Sequence, residues 1–339
     1  MKAYAGIDLH SSNNYVGVLN EKDDRLSGKR LSNELADVLM MLEPFKNELQ
    51  GVVVESTYNW YWLVDGLQEH GYDVHLANPS AIKQYEGLKH TDDRWDSFWL
   101  AHLFRLGILP EGYIYPKEQR AVRDLLRRRL MFVRQRTSHI LSLQSMITRN
   151  LGIRMSSNAI KKLKEEDAQE IFDSKHLIFM AQNNISLIQF LKTRIYGMEK
   201  EVMAQAKLRK EFGMLLSIPG IGKILALTIM FEVGDIHRFP KVGNYSSYCR
   251  CVKSERLSNG KKKGENNRKN GNRYLAWAYV EAANFAKRYC PDAQKFWQRK
   301  QAKRNNIVAI KALSNKIARA SYYVMRDQVP FDPGKLFRT

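Results

Sequence analysis

Cysteine is scarce in this chain. There are three in 339 residues, Cys249, Cys251 and Cys290. An odd number without CxxC pairs excludes a disulfide framework and a structural zinc site, and a reducing compartment is the expected home. Long apolar runs are also missing. The longest, such as residues 225–231, fall far short of the roughly 20 residues of a membrane span, so no membrane partner is expected. The first ten residues, MKAYAGIDLH, hold no apolar stretch of signal length and place Asp8 early. A secretory signal is therefore not expected, and the cytoplasm is. No internal repeat and no low-complexity tract is visible.

Negative charge is the other shortage. The chain carries 55 Lys and Arg against 35 Asp and Glu, a net of +20. The imbalance is uneven. Residues 1–109 hold 10 basic against 16 acidic residues, a net of −6, which leaves 45 against 19, a net of +26, for the remainder. Such asymmetry points to an acidic catalytic or regulatory domain joined to a nucleic-acid-binding body.

The hydrophobic pattern divides the chain similarly. Residues 3–8, 15–20 and 25–31 read as strands, the first two as a hairpin turning at residues 11–14. Residues 31–49 have helical spacing, with Leu35, Val38, Leu39 and Leu42 on one face. A buried strand follows at residues 51–55, then a helix at 58–70, a strand at 73–79 and a helix at 95–106. Strands first in succession and then alternating with helices predict a mixed-sheet α/β domain over residues 1–112. Residues 113–212 read as a helical arm or coiled coil, with long charged helices at 117–150 and 186–214. Residues 213–339 read as a mostly helical C-terminal domain. It begins with SIPGIG (residues 217–222) and contains a basic loop at 254–273 with seven Lys and Arg, expected to order on a polyanion.

Within the acidic domain, residues 90–98 read HTDDRWDSF. Asp8 and Glu55 each end a predicted strand, and Asp93 and Asp96 are three apart at the start of a predicted helix, on one face. Acids converging from strand ends and a helix face suit a hard divalent cation, Mg²⁺ with Mn²⁺ as a substitute. Two such ions would stabilise the attacking and leaving oxygens of a phosphoryl transfer. Taken singly, each acid could be a surface charge or a helix cap, and Asp92 reads as a cap or a supporting group.

The order Asp8, Glu55, Asp93, Asp96, followed by SIPGIG and a basic serine-containing loop, resembles the DEDD insertion-sequence transposases, bridge-RNA-guided DNA recombinases with a RuvC-like, RNase H-type domain. The segments GIDLH, VVVEST, TDDRWDSFWLA, SIPGIGKILA and NGNRYLAWAYVEAA stand in the expected order over nearly the whole chain. One departure is Glu55-Ser56-Thr57-Tyr58, where many members have Glu-Ala-Thr-Gly. The resemblance implies a serine nucleophile that forms a covalent phosphoserine link to DNA, and its position falls on Ser258. It implies Mg²⁺ beside the scissile phosphate and a structured guide RNA, encoded by the element, that pairs with donor and target DNA. It also implies a bacterial, nucleoid-associated enzyme. Because the acids and Ser258 fall in separate domains, a site assembled between subunits is expected, in a homo-oligomer, dimer or tetramer. No histidine neighbours Ser258, so its activation falls to metal, to Arg or Lys, or to a residue distant in sequence. Arg256, Lys261, Lys262 and Lys263 could hold a phosphate there. Arg127, Arg128 and Arg129 of the basic helix, with Lys223, Arg268 and Arg273, are further candidates for nucleic-acid contact. SIPGIG resembles a helix-hairpin-helix turn; phosphate contact through its glycines and a plain tight turn between helices both fit. The competing functional readings are a Mg²⁺-dependent nuclease similar to a Holliday-junction resolvase, with water as nucleophile, and a non-catalytic nucleic-acid-binding protein.

Overall fold

The computed structural model describes residues 1–82, 92–206, 210–264 and 270–337. They form two compact units, Met1–Lys117 and Glu118–Thr339.

The first unit is built on a five-stranded mixed sheet. Its strands are β1 (Ala3–Leu9), β2 (Asn13–Asn20), β3 (Arg25–Ser32), β4 (Leu49–Glu55) and β5 (Val74–Ala77), in the order β3-β2-β1-β4-β5. β1, β2 and β3 are antiparallel neighbours, whereas β4 runs parallel to β1, and β5 to β4. The helices are α1 (Leu35–Leu42), α2 (Tyr61–Glu69) and α3 (Asp93–Arg105). α1 is much shorter than the residue 31–49 helix that the spacing predicts. Pro44 lies in a 3₁₀ turn, Glu43–Phe45, straight after it, because a proline cannot supply the amide that would continue an α-helix.

Alternation sorts the two sheet faces. Ala5, Ile7, Leu9, Val16, Val18, Val52 and Val54 form one fully buried face, with Val38 and Leu42 of α1 and Leu63, Val64 and Leu67 of α2 in the same core. The other face receives α3 through a row of glycines. Gly6 of β1 pairs with Gly17 of β2, which pairs with Gly28 of β3. A Cβ on Gly6 would lie 2.1 Å from the Ser97 carbonyl oxygen and 2.8 Å from the Ala101 nitrogen; on Gly17 or Gly28 it would meet the Phe98 ring at 2.9 or 2.8 Å. The missing side chains therefore form a trough that admits a helix backbone directly onto the sheet.

Among the described residues, the second unit is helical apart from one hairpin. Its helices are α4 (Lys117–Leu151, whose first residue closes the first unit), α5 (Ser157–Ile160), α6 (Asp167–Ile171), α7 (Lys175–Ala206), α8 (Lys210–Leu216), α9 (Lys223–Val233), α10 (Val242–Tyr248), α11 (Arg273–Tyr289), α12 (Pro291–Lys303), α13 (Asn306–Asp327) and α14 (Pro333–Phe337). The strands β6 (Arg256–Ser258) and β7 (Lys261–Gly264) pair antiparallel. α4 and α7 form an arm. Arg129 pairs with Glu199 near its base, and Ile140, Leu143 and Ile147 share a small core with Ile185, Ile188 and Phe172 near its tip. α7 begins well before the residue 186 that its sequence pattern indicates. The larger core unites α8 to α13 around Leu227, Tyr245, Tyr279, Leu313 and Tyr322. Among the described residues, no helix is long and apolar enough to cross a membrane.

Candidate active site

The sheet register brings the acids together. Asp8 lies two residues beyond Gly6, so alternation turns it to the α3 face of the sheet. Glu55 follows Val54, the neighbour of Ile7 on the parallel strand, and so stands beside Asp8. α3 sits in the glycine trough with its first turn over the same strand ends. Asp92 caps it, accepting a hydrogen bond from the Trp95 amide at 2.7 Å, and Asp93 and Asp96 fall in that first turn. The sequence reading of Asp92 as a cap thus matches its place in the structure.

Two further side chains join the acids. His10 Nε2 lies 3.2 Å from Asp8 Oδ2 and 3.2 Å from Asp93 Oδ1, and ligand atoms of Asp8, His10 and Asp93 all fall within 4.8 Å of one another. Arg30 Nη2 donates to Asp93 Oδ2 at 2.5 Å. Arg30 stands in one cross-strand row with Tyr15 and Asp8. Sequence reasoning missed both residues. His10 carried a signal, being two residues past Asp8 and hence on its face, whereas Arg30 becomes visible only once two hairpin registers are known.

The electrostatics are those of crowded carboxylates. Burial, then a hydrogen bond with Asp8, then the negative charges of Asp8 and Asp96, push the Glu55 carboxyl up to about 8. At neutral pH it keeps its proton and donates it to Asp8. Burial and the charges of Asp8, Asp93 and Asp92 raise Asp96 as well, with His10 opposing. Arg30 pairs with Asp93, and the His10 ring bridges Asp93 and Asp8. Asp8 and Asp96 keep an excess of negative charge, for which a bound dication is the natural counterpart, and such an ion would displace the proton that Glu55 holds. Carboxylate oxygens with a neighbouring imidazole can hold such an ion.

The second unit presents Ser258 on a hairpin. Asn259 and Gly260 both have positive φ, 49° and 69°, as a two-residue type I′ turn requires. The Asn-Gly pair is itself a strong hairpin signal, so the stretch read as a basic loop contains two short paired strands. Ser258 pairs with Lys261 at the turn and is exposed, as are Lys261 and Lys263. Arg256 lies in β6 and Lys262 in β7, whereas Arg268 lies outside the described residues.

Other predicted contacts have intramolecular partners. Glu232 of α9 is 1% exposed. It accepts from Arg127 Nε at 2.6 Å, Arg127 Nη2 at 2.8 Å, Arg123 Nε at 3.1 Å and Asn272 Nδ2 at 2.7 Å. Burial opposes ionisation of Glu232, but the hydrogen bonds and charges of Arg127 and Arg123, with Asn272, outweigh it and hold the carboxyl below its usual range. Arg129 is paired with Glu199, while Arg128 between them is exposed. Arg273 is exposed with its guanidinium against the Tyr274 ring, and Lys223 is exposed at the start of α9. SIPGIG forms the turn between α8 and α9. Gly220, at φ 86°, presses on α11 so closely that a Cβ would lie 2.1 Å from the Ala282 oxygen. Cys249 and Cys251 are buried, directly after α10.

Comparison with known proteins gives the chain relatives. Residues 5–150 match a family model described as transposase, of the DEDD type of IS110 elements, and residues 213–298 match the model of the transposase IS116/IS110/IS902 family. A probable family 20 transposase of Pseudomonas aeruginosa is 26% identical over 290 residues, covering 81% of this chain and 83% of that one. The transposase for insertion sequence element IS1111A of Coxiella burnetii is 25% identical over 271 residues, covering 77% of this chain and 72% of its own. A putative transposase of Sinorhizobium fredii is 25% identical over 236 residues, with coverage of 69% and 57%.

Proposed function

We propose, from the premise that this chain belongs to the IS110 family of transposases, that it is an RNA-guided DNA recombinase that cuts and rejoins donor and target DNA through a phosphoserine intermediate on Ser258. The observation that carries the reading is the convergence of Asp8, Glu55, Asp93 and Asp96 at the ends of the inner strands β1 and β4 of a mixed sheet, in a unit we read as RNase H-like and of the RuvC type. Asp8, Glu55 and Asp96, with Asp93, would hold Mg²⁺. When bound there, the ion supplies positive charge to the phosphate oxygens and to the leaving oxygen of a phosphoryl transfer.

The chain's own residues account for the rest. The Ser258 hydroxyl, at the tip of a hairpin and open to solvent, attacks the phosphorus, and the displaced sugar oxygen leaves as a hydroxyl. The phosphodiester is thereby exchanged for a phosphoserine ester, so rejoining requires no energy-rich cofactor. Lys261 and Lys263 on the facing strand supply charge to the pentacoordinate state. The basic excess of the second unit serves the phosphate backbones of DNA and of an element-encoded guide RNA. Sequence choice resides in the RNA, and the working complex is a homo-oligomer.

The test is a denaturing gel of labelled element-end and target DNA incubated with Mg²⁺, protein and RNA transcribed from the element's flank. Labelled DNA should shift by the mass of one protein, and the shift should vanish with Ser258→Ala. Cleaved but unshifted DNA from both proteins would instead identify a nuclease that uses water.

A further inference from the structure

The segment that carries Ser258 leaves the helical core of the second unit and returns to it through a tied neck. α10 ends at Tyr248, and the Cys249, Arg250 and Cys251 amides donate to the carbonyls of Tyr245, Ser247 and Ser246. Arg250 thereby takes a left-handed conformation, φ 53°, at the position after a helix that glycine fills most readily. Its side chain reaches across to the returning chain. Arg250 Nε donates to the carbonyls of Asn270 at 3.1 Å and Gly271 at 3.0 Å, and Nη2 donates to Gly271 at 2.8 Å. The Asn272 amide closes the neck on the Tyr248 carbonyl at 2.6 Å. Gly271 packs there so tightly that a Cβ would lie 2.5 Å from that carbonyl oxygen.

The neck is anchored on both sides. Lys311 Nζ of α13 donates to the Arg250 carbonyl at 3.1 Å. Asn272 caps α11, accepting from the Tyr274 and Leu275 amides, and donates to the buried Glu232. Beyond the neck stands the β6–β7 hairpin. A two-stranded hairpin is marginal by itself, so its direction is set largely at its root. A backbone position that disfavours a side chain is occupied by one whose fork spans two consecutive carbonyls, a geometry that an ammonium does not reproduce.

We propose that Arg250 is a positioning residue for Ser258. Its guanidinium joins the outgoing and returning chain and so fixes the root of the hairpin from which the serine attacks. The inference rests on the reading of Ser258 as nucleophile.

The experiment measures the rate of covalent protein–DNA adduct formation at saturating DNA, with full-length protein, RNA and Mg²⁺. Wild type is compared with Arg250→Gly, Arg250→Lys and Ser258→Ala. Arg250→Gly removes the clamp while giving the left-handed position its favoured residue, so its melting temperature should equal or exceed that of wild type. Its adduct rate should fall roughly 10- to 100-fold, the scale of a misplaced reacting group. Its DNA affinity should stay within about twofold of wild type, separating loss of rate from loss of binding. Arg250→Lys keeps the charge but not the fork and should be as slow as the glycine variant, and millimolar guanidinium should restore part of the glycine variant's rate. A wild-type rate in Arg250→Gly would overturn the clamp. So would a wild-type rate in Arg250→Lys with weakened DNA binding in Arg250→Gly, since Arg250 would then be a phosphate contact. An adduct that survives Ser258→Ala would overturn the nucleophile reading itself, in a separate lane of the same gel.

Discussion

Gly6→Ala is a one-methyl test of how the acidic site is assembled. The added Cβ would lie 2.1 Å from the Ser97 carbonyl oxygen, against the 3.4 Å at which ordinary contact begins, a shortfall of about 1.3 Å. The obstacle is backbone and cannot rotate away. β1 is held by β2 on one side and β4 on the other, so α3 has to lift. Overpacking of this kind costs about 1–3 kcal/mol, which for a unit of this size lowers the melting temperature by roughly 4–20 °C. The lift carries Asp93 and Asp96 away from Asp8 and Glu55, and a displacement of about 1 Å at a reacting centre costs on the order of 100-fold in rate. The assays are a thermal melt followed at the first unit and the rate of DNA strand transfer. Gly17→Ala and Gly28→Ala should be milder in both, because the Phe98 side chain that they meet can shift. A Gly6→Ala protein with wild-type melting and wild-type rate would refute the close docking of α3, and with it the convergence of the four acids.

In chelator, stability should fall as pH rises from about 4.5 to about 8. Folded Glu55 holds its proton up to about 8, whereas the unfolded carboxyl releases it near 4.5, so the favourable term is complete below the lower value and lost at the higher. Because Glu55 is partly exposed, the loss should be about 1–2 kcal/mol in urea titrations; Glu55→Gln should flatten that slope, and Mg²⁺ should raise stability at pH 8 in wild type but little in Glu55→Gln. Glu232→Gln removes the carboxylate charge that the buried Arg123 and the partly buried Arg127 share and should cost about 3 kcal/mol, read as a drop of roughly 6–12 °C in the melting of the second unit. Gly260→Val places a branched side chain at φ 69°, which should disturb the hairpin turn and slow adduct formation while leaving overall melting within about 2 °C.

The acids were legible because their chemistry is written locally. A carboxylate at a strand end and two more at i and i+3 of a helix start can be recognised before any long-range pairing is known. What pairing alone creates was not legible. Gly6, Gly17 and Gly28 look like three unrelated glycines until the two hairpins set them side by side, and Arg30 reaches Asp93 only through that same register. The basic helix depends on packing in the same way. Arg127, Arg128 and Arg129 are equal in sequence, but the helical turn sends Arg127 to Glu232 and Arg129 to Glu199 and leaves Arg128 at the surface. The hairpin bearing Ser258 is hidden by composition, since the Asn259-Gly260 turn signal stands among seven Lys and Arg whose charge reads as an open loop.

Glu232 also bears on how the second unit comes apart. It sits on α9, receives Arg123 and Arg127 from the root of α4, and holds Asn272 at the head of α11. Peeling the root of α4 from the helical core would leave an ionised carboxylate without its cations in an apolar interior, so root and core should unfold in one cooperative step. The far end of the arm, with its own small cluster around Ile147 and Ile185, has no such tie and is free to open earlier. Amide exchange along the single helix α4 should accordingly be slow around Arg123 and fast toward Arg149, a gradient set by one buried acid rather than by helix propensity.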